Sequence, residues 1–314
     1  MIQSISDEVW AFDCEWVPDI LAGRLILGLP EDCPAEEVLK QMWVAGGATP
    51  ENPQPFLKTI YCRIVSIAMV IRRRAKDGSV RLFLQALPEN PDDSSQDEPY
   101  ILRRFLNDGV AKHAPQLVGY NSRNADIRIL TQRALVNGLP QPELCRRLAL
   151  KPWESTDIDL MEFVAGFGKS YSVSLNDIAR LSGIPGKLDM TGYDVCAAWY
   201  RGDRKKIVEY NCFDALTTYL VWVRLCLFCG KFSRTDYDEE QRRVRQLIQD
   251  EIEKGQDYLQ TFLDAWDELQ QKLGGHELGM GNAVRARHVC PATERGRLCA
   301  ETFVAERNRL YRIA

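Results

Sequence analysis

Residues 9–19 read Val9-Trp10-Ala11-Phe12-Asp13-Cys14-Glu15-Trp16-Val17-Pro18-Asp19, an apolar run that ends in two acids and a proline. The run predicts a buried strand. Alternate residues of a strand point to the same face, so Asp13 and Glu15 project side by side. Two carboxylates at an apolar strand end repel each other and favour a bound cation. The pair fits half of a metal site or a solvated strand end, and further acids along the chain decide between the two.

The composition is that of a large globular enzyme. The chain has 314 residues, 45% of them hydrophobic and 27% charged, which suits one large domain with appendages. No apolar run approaches a membrane span, and the first residues do not resemble a signal peptide, so we expect a soluble, intracellular protein in the cytoplasm. The net charge of −4 argues against a protein that coats duplex nucleic acid, but it allows an enzyme that grips a few phosphates.

Ten cysteines are scattered along the chain without regular spacing, and we expect reduced thiols. Two groups keep a metal-binding alternative open. The first is Cys226 with Cys229, and the second is His288 with Cys290 and Cys299. Neither group has the four-ligand spacing of a structural zinc site.

Hydrophobic periodicity predicts an α/β fold, a mixed sheet with helices on its faces. Residues 19–57 are predicted to be an insertion that contains a short helix from Ala35 to Val44. The predicted strands are residues 8–16, 59–72, 79–86 and 116–120, with a short apolar element at 157–164. The predicted helices are residues 99–113, 124–137, 173–183, 192–202 and 203–229.

The C-terminal third is predicted to be an extension. Residues 231–275 form an amphipathic helical segment, in which apolar residues recur at helical spacing over 239–273. This stripe is expected to pack on the core or on a protein partner. Residues 276–314 form an arginine-rich tail with a predicted helix at Ala300–Arg312.

Two further acids lie where a strand or helix could bring them to Asp13. Asp126 follows the strand at 116–120 and starts a helix, where an acid often serves only the helix dipole. Asp214 lies within the long helix 203–229, and Tyr210 shares its face four residues earlier. An acid in either position is more often structural when judged alone. The prediction of a functional site depends on the order in which all four acids and Tyr210 occur along the chain.

That order resembles the DEDD exonuclease superfamily in its tyrosine-bearing (DEDDy) branch. The resemblance implies a ribonuclease H-like fold and an exonuclease domain over residues 1–230. It also points to the subgroup related to the exonuclease domain of family B DNA polymerases, through Leu175-Asn176-Asp177-Ile178-Ala179 and Gly183-Ile184-Pro185-Gly186-Lys187. The three superfamily motifs correspond to Phe12-Asp13-Cys14-Glu15-Trp16-Val17-Pro18, Tyr120-Asn121-Ser122-Arg123-Asn124-Ala125-Asp126 and Tyr210-Asn211-Cys212-Phe213-Asp214.

Two positions separate this chain from its relatives. The histidine-bearing branch has His five residues before the last acid, where this chain has Glu209. Trp16 stands where family B exonucleases often have Thr, which leaves the carboxylates intact but changes the expected contact with the terminal nucleotide.

The resemblance implies a two-metal 3′–5′ exonuclease that releases 5′-mononucleotides from single-stranded DNA, in repair or proofreading. It implies that Asp13, Glu15 and Asp214 hold one Mg²⁺ or Mn²⁺ ion, and that Asp13 and Asp126 hold a second. Tyr210 would orient the attacking water. These five residues are the predicted catalytic set.

Five residues are predicted to contact substrate: Trp16, Asn121, Arg123, Arg128 and Lys187. Other charged residues receive structural interpretations. The run Arg72-Arg73-Arg74 is predicted to be a solvated strand end, and Asp157 and Asp159 are predicted to serve at a strand end or helix start.

Three alternatives stay open. The same site could act on RNA, because no residue pattern reads a 2′-hydroxyl, and DNA is favoured only by the polymerase-like resemblance. The fold could serve a non-catalytic binding module, although all four acids are present. The amphipathic helices could make the nuclease one component of a complex.

Overall fold

A computed structural model describes residue 2 and residues 4–151, 154–166, 172–188 and 190–274. Residues up to Gln271 form one compact unit. The predicted tail 276–314, with its helix at Ala300–Arg312, lies outside the described residues. The alternative metal ligands His288, Cys290 and Cys299 lie outside them as well.

A mixed five-stranded sheet organises the compact unit. Its strands are β1 Glu8–Pro18, β2 Cys62–Arg74, β3 Val80–Leu87, β4 Gln116–Gly119 and β5 Ile158–Asp159. The strand order is β3-β2-β1-β4-β5. β1 pairs antiparallel with β2 and parallel with β4, so the strand that carries the two acids is central.

The two faces of β1 bury different clusters, as the alternation of its residues predicts. Val9 and Ala11 belong to the larger core cluster on one side. Trp10, Phe12 and Cys14 belong to a second cluster on the other side. Both faces of the sheet are therefore covered, and the run of apolar residues in β1 follows from burial on both sides.

The helices predicted within the described residues are present, and the structure adds α1 and α6, which the periodicity does not mark. The predicted apolar element at 157–164 is formed by β5 and the helix after it. A π-helical segment, Arg103–Val110, joins α3 to α4. The helices are α1 Ile20–Leu27, α2 Ala35–Ala45, α3 Glu98–Leu102, α4 Ala111–His113, α5 Asp126–Val136, α6 Pro142–Leu148, α7 Leu160–Val164, α8 Leu175–Leu181, α9 Gly192–Arg201, α10 Arg204–Phe228, α11 Arg234–Glu253 and α12 Gln260–Gly274.

The segment after β1 is fixed to the core at its first residue. Asp19 caps α1 by accepting a hydrogen bond from the Leu21 amide, and its carboxylate pairs with buried Arg133 at 3.0 Å. Gly23 of α1 faces Met42 of α2 so closely that a Cβ would collide with the thioether. α1 and α2 therefore form a helical hairpin that starts immediately after the acid-bearing strand.

α11 and α12 bury the amphipathic stripe within this chain. Val244 and Ile248 of α11 and Phe262 and Trp266 of α12 belong to the larger core cluster. Gly255, with a φ of 96°, lies at the break between the two helices, where a positive φ suits glycine. The apolar side chains that motivated the protein-partner alternative are thus packed against the core.

The prediction of a solvated strand end is wrong for Arg72. Its guanidinium lies 2.9 Å from Glu240 of α11, and both side chains are buried. The Tyr219 hydroxyl donates to the second Glu240 oxygen at 2.6 Å. A carboxylate supplied by a distant helix compensates the buried charge, which adjacent sequence cannot indicate. Arg74 is exposed, as predicted.

Among the described residues, no helix has both the length and the apolar character needed to span a bilayer.

Candidate active site

β1 and α10 bring three predicted carboxylates together. Asp13, Glu15 and Asp214 each offer one oxygen, and these three oxygens lie within 4.8 Å of one another. α10 packs on the face of the sheet to which Asp13 and Glu15 point, so the helix presents Asp214 to the strand. The strand alternation and the helix register together produce the cluster.

Asp126 approaches from the first turn of α5, which follows β4. Its Oδ1 accepts a hydrogen bond from the Cys14 backbone amide at 3.0 Å, and its side chain is buried. Parallel pairing of β4 with β1 places the start of α5 beside the end of the acid-bearing strand. The fourth predicted acid therefore lies next to Asp13, on the side of β1 where β4 pairs and away from β2.

The carboxylates make one another harder to ionise. Burial, followed by repulsion from Asp126, Glu15 and Asp214, raises the pKa of Asp13 well above its usual range. Burial and then the charge of Asp214 raise the pKa of Glu15 likewise. Burial raises the pKa of Asp126 to about 7 and that of Asp214 to about 6. Such a cluster is stable in its ionised form only with cationic charge beside it.

Lys187 supplies part of that charge. Its ammonium lowers the pKa of Asp13, Glu15 and Asp214. The Lys187 amide donates to Asn176 Oδ1 at 3.0 Å, which fixes the backbone of its loop while the side chain stays exposed. The predicted substrate contact thus lies at the acid cluster.

Tyr210 lies on the same face of α10 as Asp214, and its hydroxyl is hydrogen-bonded to that carboxylate. The side chain is buried. Burial, followed by the charge of Asp214, raises the pKa of the phenol, so it stays neutral and can donate a hydrogen bond. A cavity of about 80 Å³ beside it is lined in part by Met190, Lys206 and Phe213.

Asn211 is a site residue for which the sequence analysis gave no role. Its Nδ2 donates to Asp13 Oδ2 at 2.8 Å, and its Oδ1 accepts from the Ser66 hydroxyl of β2 at 3.1 Å. Asn211 is fully buried. This relay fixes one oxygen of Asp13. An amide next to Tyr210 within a helix of apolar neighbours was the available signal, because a buried amide needs hydrogen-bond partners.

Asn121 and Arg123 are engaged in shaping the loop between β4 and α5. Asn121 has a φ of 57°, and its amide donates to Asp159 Oδ1 at 2.9 Å. The Arg123 amide donates to the other Asp159 oxygen, and its guanidinium lies 3.5 Å from Glu162. The structure thus gives Asp159 the structural role expected of it, since it also caps α7.

Arg128 and Trp16, the other two predicted substrate contacts, differ in their exposure and in the elements that carry them. Arg128 is exposed on α5, and within the described part of the chain no ion pair joins it to the four carboxylates. Trp16 is half-buried against the second core cluster, next to a register shift between β1 and β2 at Glu15 and Trp16. Such an irregularity re-aims side chains at a strand end.

No curated protein sequence matches the chain. Among solved structures, the family B DNA polymerase from the hyperthermophilic archaeon Pyrobaculum calidifontis aligns with a TM-score of 0.41 and 18% identity, over 71% of this chain and 25% of the polymerase. This chain therefore spans about a quarter of that polymerase's length.

A family profile described as a predicted 3′–5′ exonuclease related to the exonuclease domain of PolB matches residues 54–266. The matched range contains Asp126, Tyr210 and Asp214. The strand β1, which carries the other two acids, precedes this range and lies in the same sheet. The mixed sheet with helices on both faces is the ribonuclease H-like fold, as predicted. The chain belongs to the family of predicted 3′–5′ exonucleases related to the exonuclease domain of PolB.

Proposed function

We propose that the chain is a metal-dependent 3′–5′ exonuclease that hydrolyses single-stranded nucleic acid to 5′-mononucleotides. The observation that carries the proposal is the cluster of three carboxylates from β1 and α10, with the buried Asp126 of α5 close enough to raise the pKa of Asp13. A structural role alone would not favour this arrangement, because like charges held together reduce folding stability. All four acids are retained, which favours catalysis over a binding module on the same fold.

The donor set fits hard divalent cations. It consists of carboxylate oxygens, without a histidine or thiolate among the clustered side chains, and such sets suit Mg²⁺ or Mn²⁺. We propose that Asp13, Glu15 and Asp214 hold one ion, and that Asp13 and Asp126 share a second. When bound, two such ions stabilise charge on the attacking and leaving oxygens of an in-line phosphoryl displacement.

The remaining side chains act through position. The neutral phenol of Tyr210 donates a hydrogen bond and can orient a water molecule beside Asp214. Asn211 holds Asp13 in one rotamer through its 2.8 Å bond. Lys187 offers a positive charge at the mouth of the cluster, where a phosphate of the substrate would arrive.

Single-stranded DNA is the proposed substrate, and RNA is the alternative with the same chemistry. Both carry the phosphodiester that the acids would cleave, and no described contact distinguishes the sugars. A role in repair or proofreading is the part of the proposal that rests on the polymerase-related family alone.

The test is digestion of DNA and RNA oligonucleotides labelled at either end, with Mg²⁺, with Mn²⁺ and with EDTA. We expect stepwise shortening from the 3′ end that requires the metal and stops in Asp13→Ala. Asp93→Ala, at a half-buried loop acid outside the cluster, is the matched control and should keep the wild-type rate. Equal rates in wild type and Asp13→Ala would contradict the proposal, and the ratio of the two substrates measures sugar preference.

A further inference from the structure

Two arginines from distant parts of the chain lie over the same tryptophan. The guanidinium carbon of Arg63 in β2 is 5.9 Å from the centroid of the Trp199 ring in α9. That of Arg204, at the start of α10, is 4.9 Å from it. Cation–π contact holds both guanidinium groups in place on a half-buried indole.

Neither arginine has a carboxylate partner in the part of the chain that the structure describes. Neighbouring cations do have carboxylate partners, since Arg201 pairs with Asp203 at 3.1 Å and Lys205 lies 3.8 Å from Glu209. The Nε of Arg63 is also buried without a hydrogen-bond partner among the described residues.

The acids that border this surface are engaged elsewhere. Glu98 pairs with Arg133 at 2.6 Å, and Asp97 caps α3 by accepting from the Tyr100 amide. Asp97 and Glu98 border the surface around the two arginines, and neither forms an ion pair with Arg63 or Arg204. A surface with fixed and uncompensated guanidinium groups favours an anion.

The arginines lie beside the acid cluster on the same face of the sheet. Arg63 is opposite Val17, two residues beyond Glu15. With about 3.3 Å per residue along a strand and about 4.8 Å between strands, the Cα atoms of Arg63 and Glu15 are on the order of 8 Å apart. Trp199 packs against the small core cluster that contains Val17 and Tyr210.

We propose that Arg63 and Arg204, held by Trp199, bind the phosphodiester backbone of the nucleic acid strand whose 3′ end occupies the acid cluster. This inference rests on the proposed exonuclease function. It extends that function by assigning a binding position to the part of the strand upstream of the 3′ end. The half-buried Arg63 and the exposed Arg204 keep terminal N–H groups that can donate to phosphate oxygens. The contact reads the backbone, so it serves DNA and RNA alike.

The experiment measures binding and chemistry separately. Binding of a fluorescent 12-nucleotide thymidylate strand is followed by anisotropy in EDTA, from 50 mM salt upward, for wild type and for Arg63→Gln/Arg204→Gln. Each phosphate contact on a single strand adds about 0.7 to the slope of log affinity against log salt, which is about eightfold in affinity between 1 M and 50 mM salt. We expect the double variant to lose about 1.4 from this slope.

The second measurement uses the p-nitrophenyl ester of thymidine 5′-monophosphate with Mn²⁺, whose only phosphate is the one that is cleaved, so that it offers no upstream phosphate to the arginines. Its hydrolysis should be unchanged in the double variant. If the wild type does not hydrolyse this ester or any oligonucleotide, the exonuclease proposal fails, while the binding measurement still tests the arginines.

Two controls keep the inference falsifiable. Arg201→Gln removes the same charge from the same region, but from a residue already paired with Asp203, and should leave the slope nearly unchanged. Arg204→Lys retains the positive charge and should therefore keep part of the affinity that the double variant loses. The double variant must also show wild-type circular dichroism. An unchanged slope in a folded double variant, or an equal loss in Arg201→Gln, would overturn the inference.

Discussion

Replacing Asp13 by Asn should stabilise the metal-free protein while abolishing its nuclease activity. The change removes one charge from a group of three oxygens that lie within 4.8 Å. At that separation two unit charges repel by about 1 kcal/mol in water and by about 3 kcal/mol at an effective dielectric constant of 20. The new amide can still accept the hydrogen bond from Asn211, so the loss of charge is the main effect. We expect a gain of about 1–3 kcal/mol in the free energy of unfolding at pH 8.

The pH dependence gives the prediction a second signature. Burial raises the pKa of Asp214 from 3.8 to about 6 and that of Asp126 from 3.8 to about 7. Between pH 3.8 and about 7 the folded state therefore holds more protons than the unfolded state, and its stability falls as the pH rises. At about 1.4 kcal/mol for each tenfold change in acidity, ionising Asp214 costs the fold about 3 kcal/mol at pH 8.

The assay is urea unfolding at pH 5 and pH 8, in EDTA and with Mg²⁺. Wild type in EDTA should be less stable at pH 8 than at pH 5, and Mg²⁺ should recover most of the difference because it binds only the folded, ionised cluster. Asp13→Asn should show a smaller pH effect and a smaller response to Mg²⁺.

The matched control is Asp157→Asn, the same chemical change at an acid that pairs with Arg147 at 2.7 Å and accepts from the Leu117 amide. It should destabilise the protein, because it breaks a favourable ion pair. A loss of stability in Asp13→Asn, or no effect of Mg²⁺ on wild type, would refute the reasoning that the acids are held together at a cost.

Three further substitutions test the surrounding structure. Tyr210→Phe should lower the hydrolysis rate on the order of 100-fold, less than the loss in Asp13→Ala, and an undiminished rate would remove Tyr210 from the mechanism. Asn211→Leu removes the hydrogen bond that fixes Asp13, so steady-state assays should show a fall of about 10–100-fold in activity or metal affinity, whereas wild-type kinetics would assign Asn211 to packing alone. Arg72→Met leaves the buried Glu240 carboxylate with only the half-buried Arg243 and the Tyr219 hydroxyl as partners, and should cost up to about 3–5 kcal/mol in urea unfolding. The double variant Arg72→Met/Glu240→Gln should recover much of that loss, and a double variant as unstable as the single one would contradict this account.

The sequence by itself determined the parts of this protein that depend on local periodicity. Alternation along β1 predicted that Asp13 and Glu15 share a face, and the structure places them together. Helical spacing predicted that Tyr210 and Asp214 share a face of α10, and their side chains are hydrogen-bonded. The order of these motifs along the chain predicted the family, which the profile match confirms.

Only the tertiary structure decided which distant charges meet. Arg72 is paired with Glu240 and Arg123 with Glu162, while Arg63 lies over Trp199 without a carboxylate partner in the described part of the chain. From the sequence, Arg72 was expected at a solvated strand end and Arg123 at the substrate, and Arg63 had no predicted role. The physical reason is range: strand and helix periods relate residues that are two to four positions apart, whereas a pairing between residue 72 and residue 240 depends on how α11 packs across the sheet.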